Sequence, residues 1–178
     1  MTKTFLALLL TVFVAAGCGG GGADGDSPSA TAEVPVTALA DLPDAEQARL
    51  QMVDLIERVR DEVIRLVPES APWRWNRDEN WADCTQEATG QKGLSVSTQN
   101  MISDISFDDA QWGLVFPAVQ RVVAAEGLTN VSAMVDSSFN HDVRISSDDG
   151  RTLRLGSKEA SLIKGYVACR RPAPEGIR

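Results

Sequence analysis

From residue 129 to Cys169 the chain is a succession of short β-type segments separated by turns, with no room between them for a crossover helix. The first covers about residues 129–136. HDVRISS and RTLRLGS follow, joined by Asp148-Asp149-Gly150, a strong hairpin signal. In the last, ASLIKGYVAC, Ile163, Gly165, Val167 and Cys169 alternate with Leu162, Lys164, Tyr166 and Ala168. Parallel neighbours need connections of a dozen or more residues, so these strands must pair antiparallel. Such a sheet has one apolar face to bury, and something must cover it.

Two amphipathic stretches supply the cover. In PDAEQARLQMVDLIERVRDEVIRLVP, Ala48, Met52, Leu55, Ile56, Val59, Val63, Leu66 and Val67 recur at helical spacing. Asp41 is expected to cap this helix, Pro43 to lie in its first turn, and Pro68 to end it. The second stripe is Trp112, Val115, Phe116, Val119, Val122 and Val123. Ser106 and Asp109 stand at capping-box spacing, with Asp108 a rival cap. Pro117 should kink the helix and Gly127 should close it.

Between the helices, Trp73 and Trp75 alternate as in a strand, residues 76–80 read as a turn, and Trp81 and Cys84 follow. A β-type stretch begins at Gly93, with Leu94 and Val96 on one face and a weakened pattern at residues 97–99 that predicts a bulge. The expected fold is α+β: an antiparallel sheet of four to five strands with two amphipathic helices packed on one face.

The N-terminus gives an address. Lys3 is followed by an apolar run from Phe5 to Val14, too short to act as a stop-transfer span. Ala15-Ala16-Gly17-Cys18 resembles the lipobox of bacterial lipoproteins, with Ala15 in place of the usual Leu. The resemblance implies removal of residues 1–17 as a signal peptide and a diacylglyceryl group on Cys18. The chain would then be anchored in the cell membrane and face its extracytoplasmic side. One acyl chain anchors marginally and two hold stably. Residues 18–40 are rich in Gly, Ser, Thr, Ala and Pro and read as a disordered tether spanning on the order of 25 Å. Residues 41–172 form one domain and 173–178 a polar tail.

The helix start ISFDDAQW, the SSFNHDVRI segment and the final ASLIKGYVACR resemble small mycobacterial and other actinobacterial lipoproteins of the LppA type. These also have an upstream tryptophan segment followed by a cysteine, and a second cysteine on the last strand. The resemblance supports export, lipidation and the α+β fold, and implies no enzymatic activity.

With Cys18 acylated, two of the three cysteines remain, and an even count in an exported domain predicts a Cys84–Cys169 disulfide. A zinc site would need about four ligands, and the only histidine is His141. No metal or cofactor is expected.

Candidate chemistry is sparse. His141 beside Asp142 could act as a general base, but its place between strands favours a turn histidine bonded to backbone. Asp108-Asp109 and Asp148-Asp149 are adjacent carboxylates better explained as a helix cap and a hairpin turn. Glycines 19–22 lack the Lys-Ser/Thr of a phosphate loop. Trp73, Arg74, Trp75, Arg77 and Trp81 make a candidate binding surface for sugars or stacked rings, or else a core plug beside the disulfide. The formal charge of −8 disfavours nucleic acid and anionic headgroups. These features lead to an extracytoplasmic lipoprotein with a non-enzymatic binding or accessory domain. Its partners would be the membrane, through the lipid, and an envelope protein or ligand. An envelope hydrolase and a carrier of an apolar ligand are the alternatives.

Overall fold

The structure, a computed structural model, describes residues 38–174. The signal segment, Cys18, the tether up to residue 37 and residues 175–178 lie outside the described residues. The chain divides into Met1–Val34 and Pro35–Arg178, and the fold below is that of the second unit.

Its elements are α1 (Ala45–Leu66), β1 (Trp73–Asn76), β2 (Asn80–Thr85), β3 (Lys92–Ser103), α2 (Asp109–Ala124), β4 (Asn130–Ser137), β5 (Asn140–Ser146), β6 (Arg151–Ser157) and β7 (Ser161–Arg170). All strands join one antiparallel sheet in the order β1-β3-β7-β6-β5-β4, with β2 also paired to β3. The sheet therefore has seven strands, not four to five. Part of the difference is β2, which the pattern WADCT does not announce. β1 and β2 are in effect one edge strand along β3, interrupted at residues 77–79.

The interruption faces an irregularity in β3. Ser97 pairs with Tyr166 and Asn100 with Lys164, so Thr98 and Gln99 together oppose Gly165. This is the bulge expected at residues 97–99. The Thr98 hydroxyl accepts the Gly165 N–H at 3.0 Å, so the donor displaced by the bulge is not left unpaired. α1 side chains pack tightly on Gly165: a Cβ there would lie 3.0 Å from Met52 Cε and 3.3 Å from Ile56 Cδ1.

α1 starts one turn later than Asp41 would allow. Asp44 is its cap, accepting the Gln47 N–H at 2.9 Å, and Pro43 precedes the helix. Asp41 belongs to a short 3₁₀ turn, Leu39–Asp41. The apolar stripe is buried as expected from Ala48 to Val63, and Ala45 is buried with it. Burying Met52, Leu55 and Ile56 contributes about 1.5–3 kcal/mol each. At the start of α2, Asp108 rather than Ser106 forms the capping box, with Gln111 as its partner. Asp109 is left to other work. The helix runs on through Pro117 to Ala124, and Gly127 takes φ +81°, a conformation glycine adopts without steric cost.

α1 and α2 pack on each other and on one face of the sheet. Met101, Ile163, Leu155 and Val143 meet them in one cross-strand row. Leu39, which the sequence places in the tether, is buried in the domain. The Arg171 guanidinium holds it there by donating to the carbonyls of Leu39, Ala40 and Leu42. Arg170 is the buried last residue of β7.

Candidate functional site

The sheet separates the residues of the tryptophan–arginine segment. Trp73, Trp75 and Trp81 pair with Ser103, Met101 and Val96, so all three indoles lie on the helix side, half-buried against the core. Trp73 Nε1 donates to Ser70 Oγ at 3.2 Å and Trp81 Nε1 to Glu79 Oε1 at 2.9 Å. Glu79 also takes Arg49 of α1 at 2.6 Å. Burial alone would raise the Glu79 pKa, but these two hydrogen bonds and the Arg49 charge hold it below its ordinary value. Arg74 points to the opposite face, in a two-pronged ion pair with Asp104. Arg77 sits in the turn at φ +63°. The five residues do not assemble into one aromatic–guanidinium surface.

Cys84 of β2 and Cys169 of β7 are bridged, with their Cα atoms 5.7 Å apart. Both strands flank β3, and β3 has a glycine beside the bond. A Cβ on Gly93 would fall 2.3 Å from the Arg170 carbonyl oxygen and 3.1 Å from Cys169 Sγ. Arg170 adds a buried charge to this corner. It donates to the Asp149 carbonyl at 2.5 Å, and the Asp149 carboxylate is 3.6 Å away. Burial pushes the Arg170 pKa down, and the Asp149 charge opposes that push. Asp149 is therefore more than a hairpin residue. Its partial burial would raise its pKa, but Ser147, the Arg151 N–H, and the charges of Arg151 and Arg170 together lower it.

His141 is not a turn histidine bonded to backbone. It is the second residue of β5, only 6% exposed, in phase with buried Val143 and Ile145. The turn lies just before it, at Ser138 and Phe139. Its ring stacks on Trp112 at 4.3 Å, and Trp112 stacks on Phe116 at 5.4 Å. Nδ1 is 2.7 Å from Asp136 of β4, and Nε2 is 3.4 Å from Asp109 of α2. Asp109 also accepts the Ser138 hydroxyl at 2.6 Å and the Phe139 N–H at 2.9 Å. The Ser138 bond, then the Phe139 bond, lower its pKa. Ser138 thus bonds the carboxylate and not the imidazole, unlike the nucleophile–base–acid chain of a hydrolytic triad. What the group does is fasten the β4–β5 turn to the start of α2.

Beside this fastening runs the feature that sequence reasoning missed. β4 is an edge strand, and all eight of its residues are exposed. Val131 is 47% exposed, Met134 53% and, at the turn, Phe139 62%. Leu114 of α2 and Ile105 of the loop before it are exposed too. Of the large apolar side chains exposed among the described residues, only Leu50 lies outside residues 105–139. A free ladder of N–H and C=O groups next to exposed apolar side chains is a surface that can accept another strand. Its register slips between Ala133 and Val135, leaving Met134 unpaired in a bulge. The sequence signal was present in VSAMV, which has apolar residues at both parities and therefore cannot bury them all on one face.

The comparisons bear on the whole unit. The profile of the LppA family, described as "Lipoprotein confined to pathogenic Mycobacterium", matches residues 23–173. The chain belongs to the LppA family. Two crystal structures resemble it in fold. One is LppA from Mycobacterium tuberculosis, at 14% identity and a TM-score of 0.56, covering 76% of this chain and 86% of the other. The second is a DUF4853 family protein from Actinomyces odontolyticus, at 11% identity and a TM-score of 0.53, covering 79% and 76%. Among curated proteins no match is found. No helix among the described residues is long and apolar enough to cross a membrane.

Proposed function

We propose that this LppA-family chain is a lipid-anchored, extracytoplasmic accessory protein of the cell envelope. It would bind an extended segment of a partner polypeptide along β4 and perform no chemistry of its own. Anchoring is supported by the small-residue run ending at Cys18 and by the lipoprotein description of the family. Binding is supported by one observation above others: the exposed apolar residues concentrate on an edge strand, paired on one side only, and the turn beside it. Surface patches of this kind are rare on monomers unless they meet something.

Anchoring is tested by the intact mass of the membrane-extracted protein, expected to lack residues 1–17 and to carry a diacylglyceryl group on Cys18. An unmodified Cys18 in that fraction would refute it. Binding is tested by affinity capture from intact envelopes with the lipidated chain, its Cys18→Ser form and the Val131→Lys/Met134→Lys variant. A partner should be kept by a Leu50→Lys control and lost by the β4 variant. In the complex, β4 amides should gain protection from hydrogen exchange. A partner retained by the β4 variant, or protection elsewhere, would overturn the assignment.

A further inference from the structure

The sheet face turned away from the helices has a pattern that the β4 surface does not involve. Directly paired residues share a face and lie about 5 Å apart. Arg144 of β5 pairs with Arg154 of β6, and Arg154 with Lys164 of β7. Three cations therefore stand side by side across adjacent strands, a row about 10 Å long. Like charges directly opposite each other destabilise a sheet. Asp142 relieves only the middle one, by a two-pronged ion pair with Arg154 at 2.6 and 2.8 Å. Arg144 is exposed, and neither it nor Lys164 has a carboxylate partner among the described residues. Lys164 instead sits 5.4 Å over the Tyr166 ring. The residues beside the row are mixed: Thr152 pairs with Tyr166 and Asn100 with Lys164 on one hand, and on the other Leu162 pairs with Ile102 on the same face.

We infer that this face binds an anionic saccharide chain, one whose sugars bear carboxylate or phosphate groups. The two cations without a carboxylate partner supply charge at both ends of a preset span. Hydroxyl and amide neighbours suit a polyhydroxylated ligand, and an aromatic ring lies within the same surface. An acidic peptide would find no free strand edge here, since β5, β6 and β7 each have a strand on both sides. The overall charge of −8 does not forbid the contact. At physiological salt the screening length is about 8 Å, so a ligand on the row senses mainly the row.

The test uses the full chain at about physiological ionic strength, titrated calorimetrically with hexagalacturonate, neutral maltohexaose, hexaglutamate and phosphatidylglycerol vesicles. Hexagalacturonate alone should bind. The Arg144→Ala/Lys164→Ala variant should lose at least tenfold in affinity with its thermal midpoint unchanged. An Arg65→Ala/Arg121→Ala variant, which removes the same charge from the helices, should stay within twofold. Absence of binding would overturn the inference, as would equal loss in both variants. Preference for hexaglutamate would assign the row to an acidic polypeptide, and preference for vesicles to a membrane. Either result would displace the saccharide.

Discussion

The corner around Cys169 and the β4 edge are built on opposite plans. At the corner every strand is tied. A disulfide joins β2 to β7, Arg170 reaches the Asp149 turn, and Arg171 holds the segment before α1. At the other margin, β4 has neighbours on one side only and presents apolar residues to solvent, with the His141 group fastening its far turn. Stability is concentrated where nothing needs to enter. The margin that could meet a partner relies on one ladder, the Asn130–Asp148 hydrogen bond at its near end and the His141 group at its far turn.

This contrast can be broken from the corner first. Removing the bridge by Cys84→Ser with Cys169→Ser frees a loop defined by a separation of 85 residues. In the chain-entropy model that costs roughly 4–5 kcal/mol, read as a large fall in the denaturation midpoint. Gly93→Ala comes next. Its Cβ would press on backbone at 2.3 Å, so β3 and β7 must separate. A loss of about 1–3 kcal/mol is expected from overpacking, with slower oxidative refolding. If both variants melt near wild type, the corner is not what holds the domain.

Acid should weaken the same corner. The Asp149 pKa is lowered in the folded chain. Such a carboxylate stabilises the fold above its unfolded pKa of about 3.9, and that contribution disappears as pH falls through its lower folded value. The midpoint should therefore drop below about pH 4, and Asp149→Asn should flatten that part of the profile. An unchanged profile in the variant would remove Asp149 from the account. At the opposite margin, Val131→Lys should change stability by less than about 0.5 kcal/mol, because the side chain is already exposed. The smallest effect is local. Asp109→Asn should speed hydrogen exchange at the Phe139 amide, which it holds, while leaving α1 amides unaffected.

The helices and the C-terminal strands were legible because each has a clean period set against a single core. The Ser97–Gln99 irregularity was legible for the same reason, since the alternation lapses where the chain bulges. β2 was not, because only Trp81 of its residues packs on the core, and an edge strand with one anchor leaves no period to read. His141 was misread for lack of one comparison: it shares parity with Val143 and Ile145, which places it inside the strand. Ser103, Ser157 and Ser161 were passed over as polar. They lie in one helix-side row: Ser103 bonds the Ser70 carbonyl in the turn after α1, and Ser161 and Ser157 bond the backbone of Ile105 and Phe107 in the loop into α2. A serine in phase with buried apolar residues is a better sign of a docked loop than its polarity alone would suggest.

The contact between Arg171 and the Leu39 turn also decides how the domain would bear a pull. Tension arriving from the N-terminal side meets the Arg171 guanidinium and the Ala45 N–H bond to the Arg171 carbonyl, 2.8 Å long, before it can peel α1 from the sheet. Arg171 follows directly on β7, which has a strand on either side and one end of the disulfide. Load is thereby passed to the best-secured strand and shared across the ladder in shear. A chain tugged at its leading end would keep its helices seated until that strand yielded.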